Sequence, residues 1–304
     1  VSRLPAARAL AIAAAVAVLG AGCAAIGSDP RGDGVRVVAA ENFWGSIARQ
    51  IGGTHADVRS IIVNPAQDPH SYEPTTVDAR DEATAQLAIV NGVGYDPWAS
   101  KLLAANPLPG RLTVNVGTLL GLQVGDNPHR WYDPADVTVV ARAIAAALEK
   151  LSPDHAAYFA ARLRSFQTAG LARYHALIAA IRARYSGVPV GASESIFALQ
   201  APALGLDLIT PGSFMRAISE GTEITAQDTI LTGEQIADHA IDVWIENAQN
   251  VTPEIQRLDA LARADRIPIV AVTETLSPAT DSFQQWQVAQ LTRLAAALHR
   301  ATGR

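Results

Sequence analysis

The 304-residue sequence predicts an α/β fold of two lobes, each built around a mostly parallel sheet, joined by one long rigid helix. Three observations carry this. Short apolar runs of strand length alternate with segments of helical periodicity, with Gly, Pro and Asn at the junctions. Residues 152–185 then read as continuous helix, about 50 Å at 1.5 Å per residue, longer than one compact domain normally houses. Beyond that helix the alternation resumes.

In chain order, VRVVAAENFW (35–44) is a buried strand, with helix from Gly45 to Ile51. DVRSIIV (57–63) is a second strand, ended by NPAQDPH. VDARDEATAQ is helical, and LAIVNG (87–92) is a third apolar run closed by Gly92. PWASKLLAAN is a short helix and RLTVNVG a further strand. A helix over 135–150 takes Asp133 as N-cap and Pro134 at its first position, with Asp136 complementing the dipole in the first turn. The long helix starts with Ser152 as cap and Pro153 behind it, and only Gly170 interrupts it. In the second half VPVGA (188–192) is a strand, ESIFALQAPALGL a helix and LDLIT a strand. Thr232 and Gln235 have the spacing of a capping box. IDVWIEN is a strand, TPEIQRLDALARAD a capped helix, IPIVAVTE the last strand and SFQQWQVAQLTRLAAALHR the closing helix. The lobes are therefore 35–150 and 187–304, with the connector at 151–186.

Residues 1–22 stand outside the fold. Arg3 and Arg8 precede an apolar run from Ala9 to Ala21, the length of a signal-peptide core and short for a membrane span. Small residues then lead to Cys23, the only cysteine, which has no partner for an internal disulfide. LGAGC resembles the lipobox of bacterial lipoproteins, with Gly20 where Leu is usual; the resemblance implies a lipid anchor on Cys23, and the alternative is a plain secretory signal. Residues 23–34 form a polar Gly/Asp/Pro tether. Removing residues 1–22 leaves 22 basic and 29 acidic residues, formally −7. Only 17% of the residues are charged, and no basic block or aromatic-basic stripe is present, so nucleic acid is not an expected partner.

The chemistry-bearing signal is a repeated frame: DPHSYEP (68–74) and NPHRWYDP (127–134) each place a histidine directly after proline and an aromatic residue two positions later. Proline restricts the backbone entering the histidine, and the aromatic can wedge against the scaffold, so each imidazole is pre-positioned. Two such frames point to His70 and His129 as metal ligands, where one alone would more often be a capping or loop-bonding histidine. Two imidazoles leave an ion unsaturated. Ligands in open α/β sheets gather beyond the carboxyl ends of strands, where Glu194 (GASESIF) and Glu274 (VAVTETL) stand. Asp281 is the fallback for the fourth ligand. His55, His155, His175, His239 and His299 are expected to be ordinary, and no HExxH, CxxC or His-rich tract occurs.

These motifs, with SESIFALQAPALGLDLITP and IPIVAVTETL, fall in the order seen in the cluster A-I solute-binding proteins, the metal-binding lipoproteins of zinc/manganese ABC transporters. The similarity runs from about residue 35 to the C-terminus, and DVWIENAQNVTPEI also resembles the segment before the family's final strand. The resemblance implies His70, His129, Glu194 and an acidic fourth ligand, matched by Glu274 with Asp281 behind it. It further implies a monomer that captures Zn2+ or Mn2+ as its transported ligand and serves an ABC permease and its ATPase. Such a protein sits at the outer face of the cytoplasmic membrane or in the periplasm. Two His and two carboxylates suit either ion. The interval between the two Pro-His frames lacks the His-rich loop of many zinc importers, which leans toward manganese. With four protein ligands the site should hold an ion and not activate water. Two other classes compete: a secreted metallohydrolase, and a two-lobed binder of a metal chelate such as a siderophore. GASES lacks the closing Gly of a GxSxG elbow, with Ser195 in its place, which weakens serine chemistry.

Overall fold

β1 (Val35–Glu41) is apolar apart from its Arg36 and terminal Glu41 because both of its faces are covered. Val35, Val37 and Ala39 enter the larger core, while Val38 and Ala40, pointing the other way, pack with Ile61, Ile62, Val90, Trp98 and Ala99 in a smaller one. In this computed structural model, residue 1 and residues 34–304 except Asp68 and Ser71 are described. The leader, Cys23 and the tether therefore lie outside the described residues. Both cores and all described elements fall within Gly34–Arg304.

β1, β2 (Ala56–Ile62), β3 (Leu87–Val90) and β4 (Leu112–Asn115) form one parallel sheet in the order β2-β1-β3-β4. β5 (Pro189–Ala192), β6 (Asp207–Leu208), β7 (Val243–Asn247) and β8 (Ile269–Val272) repeat that topology as β6-β5-β7-β8. The first sheet is flanked by α1 (Asn42–Gly52), α2 (Thr76–Thr84), α3 (Pro97–Ala105), the short α4 (Val116–Leu119) and α5 (Pro134–Leu151). After α6 (Ala156–Ser165) and α7 (Ala172–Tyr185), the second half contributes α8 (Ala201–Leu204), α9 (Gly212–Glu220), α10 (Ala226–Ala237), α11 (Pro253–Ala264) and α12 (Phe283–Thr302). Among the described residues no helix is long and apolar enough to cross a membrane.

Several local expectations shift. α1 begins at Asn42 and not Gly45, because Phe43 and Trp44 turn inward as helical neighbours and are fully buried. Thr232 is not a cap: it is buried within α10, and Thr225, three residues before Asp228, caps the helix by accepting from the Asp228 amide at 3.1 Å. The segment after β5 is a 3-10 turn (Ser195–Leu199) followed by α8, because Pro202 tolerates only a helix start. α9 has no counterpart in the sequence reading. Asp133 does cap α5, accepting from Ala135 at 2.8 Å.

The connector is helical but stepped. A 3-10 turn at Pro153–His155 leads into α6, and a π turn at Phe166–Gly170 separates α6 from α7. The Leu171 amide bonds the Phe166 carbonyl at 2.9 Å, which accommodates one extra residue and lets both side chains reach the core. Nor is the connector the sole join. The larger core runs from the first sheet into the second through Phe43, Trp131, Tyr132, Phe283 and Trp286. Phe43 stacks on Trp131 at 3.9 Å between ring centroids. Ser46 Oγ accepts from the Phe283 amide at 2.9 Å, and Asn42 Oδ1 from the Leu276 amide at 3.1 Å. Tyr132 Oη donates to the Thr273 carbonyl at 2.8 Å, with Gln290 Oε1 at 3.2 Å. This contact should show in solution: Tyr132→Phe is expected to lower unfolding free energy by about 1–2 kcal/mol, because the Thr273 carbonyl loses the hydroxyl that donates to it. Denaturant titration measures it, and an unchanged midpoint would mean the hydroxyl contributes nothing across the join.

Candidate metal centre

In each sheet the strand order reverses between the first and third strands, opening a crevice at the carboxyl ends where loops converge. His70 lies in the loop after β2, His129 after β4, Glu194 after β5 and Glu274 after β8. The Pro69 carbonyl accepts from Trp98 Nε1 at 2.9 Å, which pins the chain ahead of His70. Two residues beyond His70, Tyr72 packs edge-on against Trp98 at 4.9 Å and donates to Asp78 Oδ2 at 2.8 Å. Two residues beyond His129, Trp131 is fully buried against Phe43. The aromatic of each Pro-His frame is thus a wedge into the scaffold.

His70, His129 and Glu274 each present one ligating atom, and these atoms lie within 4.8 Å of one another. Glu194 Oε1 is 3.4 Å from His129 Nε2. Asp281 is not part of the cluster; it precedes Ser282, the N-cap of α12. His129 has a defined tautomer. Asn127 Nδ2 donates to the Ser195 carbonyl at 2.7 Å, so Asn127 Oδ1 is its acceptor, bonded by the His129 backbone amide at 3.0 Å. His129 Nδ1 stands 2.9 Å from that same oxygen and must carry the proton, which leaves the Nε2 lone pair turned toward the carboxylates. Burial first, and His70 second, depress its pKa to about 3, so the ring is neutral. A neutral imidazole beside carboxylates is the form a cation needs.

The two glutamates are held by neighbours that sequence reasoning missed. Asn247 Nδ2 donates at 2.7 Å to both Glu194 Oε2 and Glu274 Oε1. Asn250 adds a bond to Glu194 Oε2 at 3.2 Å, Ser219 Oγ one to Oε1 at 3.2 Å, and Tyr95 Oη one to Glu274 Oε2 at 2.8 Å. Glu194, Glu274 and Asn247 are all buried. Burial, then the neighbouring Glu274, raises the Glu194 pKa to about 8. Two carboxylates this close, buried with neutral donors, fit a cation that would neutralise them. Asn247 ends β7, so the rule that selected Glu194 and Glu274 also reaches it. Ser219 arrives on α9, for which no local signal exists. Two clefts of about 680 and 720 Å3 reach the cluster from outside, and His70, Ser219 and Glu220 line both.

Another carboxyl, Glu41 at the end of β1, is fully buried beside Asp96. Burial, then Asp96, holds its pKa well above the ordinary value, so the folded chain keeps a proton that the unfolded chain gives up near pH 4.5. Stability from this group is present below that pH and is lost as pH rises toward the folded pKa. Glu41→Gln, which keeps the neutral form, is expected to match the wild type near pH 4. Its relative gain should grow by about 1.4 kcal/mol per pH unit while Glu41 stays protonated. Unfolding of both proteins across pH would refute this if their difference were flat.

Fold and site together describe a two-sheet α/β protein in which four loops at the strand ends bring two histidines and two glutamates into one cluster. The sequence profile of the zinc-uptake complex component A periplasmic family matches residues 37–297, and the chain belongs to that family. Among its relatives, the manganese-binding lipoprotein MntA of Halalkalibacterium halodurans is 28% identical over 156 residues, 50% of this chain and 52% of that protein. The manganese ABC transporter substrate-binding lipoprotein PsaA of Streptococcus mitis is 28% identical over 148 residues, 44% of this chain and 48% of that protein. The chain thus spans about half the length of these two relatives. The cadmium-bound periplasmic metal binding protein of Candidatus Liberibacter asiaticus shares the fold, with a TM-score of 0.72 at 18% identity, covering 86% of this chain and 98% of that one.

Proposed function

We propose that the protein is the extracytoplasmic substrate-binding component of an ABC importer, capturing zinc or manganese and delivering it to a membrane permease with its ATPase. His70, His129, Glu194 and Glu274 are the ligands of the cargo ion. Cys23 carries the lipid anchor, and the body works as a monomer outside the cytoplasmic membrane. The observation that carries this reading is the convergence of these side chains, from four loops of two sheets, with the lone pair of His129 turned inward. Ligand atoms within 4.8 Å of one another are close to the separations that ~2.0–2.2 Å metal bonds require. The matched lipoproteins and the bound cadmium of the solved neighbour support the same assignment.

The competing classes find less support. A chelate binder needs aromatic and cationic walls, yet all five tryptophans are buried and, among the described residues, Arg216 is the only arginine lining the two clefts. A serine nucleophile needs a free base. The Ser195 hydroxyl instead pairs with Ser219 at 2.7 Å, and the nearby His129 Nδ1 is committed to Asn127. The extensive cross-lobe packing favours release through local loop movement over wide hinge closure.

The test is a titration of residues 24–304, stripped with chelator, with zinc and manganese separately, read by mass spectrometry and thermal shift. One tightly held ion per chain is expected. Failure of both ions to bind would remove the transport reading.

A further inference from the structure

The helical layer formed by α6, the π turn, α7 and α12 has a charge composition unlike the rest of the protein. Residues 155–185 and 283–304 contain Arg162, Arg164, Arg173, Arg182, Arg184, Arg293, Arg300 and Arg304, and no Asp or Glu. The other residues beyond position 22 carry 14 basic and all 29 acidic groups. All eight arginines are exposed, and among the described residues none pairs with a carboxylate. α7 and α12 run side by side in the same direction: Tyr174 meets Phe283 near their starts at 6.2 Å, and Tyr185 Oη donates to the Arg304 carbonyl at 3.2 Å near their ends. Arg293 and Arg300, seven residues apart, share the outer face of α12. The α6–α7 strip is about 45 Å long.

We infer that this face is an electrostatic docking surface for the anionic phospholipid of the membrane, seating the body on the bilayer with its metal clefts uncovered. Two features select a lipid surface over a protein. Protein interfaces are organised around buried aromatic or aliphatic anchors, and none of the exposed large apolar side chains lies on these helices; the other exposed side chains there are Ala, Ser, Thr, Gln, His175 and His299. Adsorption to anionic lipid needs only accumulated positive charge within a Debye length of the surface.

The second feature is where the chain enters the body. Gly34 abuts the His55–Ala56 backbone, and the His55 ring stacks on His155, just before α6, at 3.8 Å. The eleven residues 24–34 can reach at most about 40 Å, so a membrane-held Cys23 would keep this end of the arginine strip within that distance of the bilayer. With the remainder of the body acidic, this face alone would be drawn to an anionic surface. No residue lining either metal cleft belongs to these helices.

The inference goes beyond metal capture, and its charge argument stands without a lipid on Cys23. Gly34–Arg304 is one compact unit that holds both described cores, so residues 24–304 can be tested without the leader. Co-sedimentation with phosphatidylglycerol vesicles at low salt should show binding that added salt removes, with none to phosphatidylcholine vesicles. An Arg164→Ser/Arg173→Ser/Arg300→Ser variant should bind at least about tenfold more weakly. A charge-matched Arg59→Ser/Arg80→Ser/Lys101→Ser control, on exposed first-lobe positions, should bind like the wild type. Circular dichroism and metal titration should be unchanged in the Arg164 variant. Absence of vesicle binding, equal weakening in both triple variants, or equal binding to neutral vesicles would overturn the inference. So would a wild type retained by the purified permease but not by vesicles, which would assign the face to a protein.

Discussion

Replacing His129 with alanine is expected to weaken zinc and manganese binding by more than about a hundredfold, since loss of outer-shell partners alone costs ~10–100-fold. The side chain is fully buried, so no outside group can substitute for its lone pair. Water entering the space would bring a weaker donor into a site that also loses the imidazole between Glu194 and His70. The fold should survive, because Trp131, which wedges this loop, and Asp133, which caps α5, are untouched. His70→Ala should behave alike, and the double variant should bind neither ion. Competition against a chelator of known affinity, with circular dichroism as the folding control, decides it. A folded His129→Ala protein with wild-type affinity would show that the paired Pro-His frames are scaffolding.

Asn247→Leu should produce the largest loss of stability around the site. One amide nitrogen donates to two buried carboxylates at 2.7 Å each, and leucine keeps the volume while removing the donor. Hydrogen bonds to charged groups contribute ~1.5–3 kcal/mol each, although the raised pKa of Glu194 places the lower end of that range on its bond. A loss of about 3 kcal/mol is expected for the metal-free protein, together with metal affinity reduced about tenfold or more as the carboxylates lose their orientation. Tyr95→Phe, which removes a single donor from Glu274, should cost about half as much. Thermal and urea unfolding, with and without zinc, measure both. If Asn247→Leu were as stable as the wild type, the amide would not be restraining the two glutamates.

Much of this architecture was legible along the chain. Strands buried on both faces show as unbroken apolar runs, and Pro, Asp and Thr mark helix starts because their chemistry at those positions is local. The same locality explains the errors. Thr232 and Thr225 both precede a polar residue by three, and packing of α10 selected the earlier one. The π turn at Gly170 follows from the need to bury both Phe166 and Leu171, which no helical period reports.

By itself the sequence determined the two-sheet α/β class, the repeated Pro-His frame and the strand-end positions of Glu194 and Glu274, because periodicity and backbone restriction act over a few residues. Only the tertiary structure decided that those four side chains meet, that Glu274 rather than Asp281 joins the cluster, and that Asn247, Asn250, Ser219 and Tyr95 hold the carboxylates. It also decided that the two sheets share one core, and that α7 and α12, distant along the chain, lie side by side and bring their exposed arginines into one acid-free helical layer. Those outcomes depend on which distant surfaces are buried together, and burial between remote segments leaves no period in the chain.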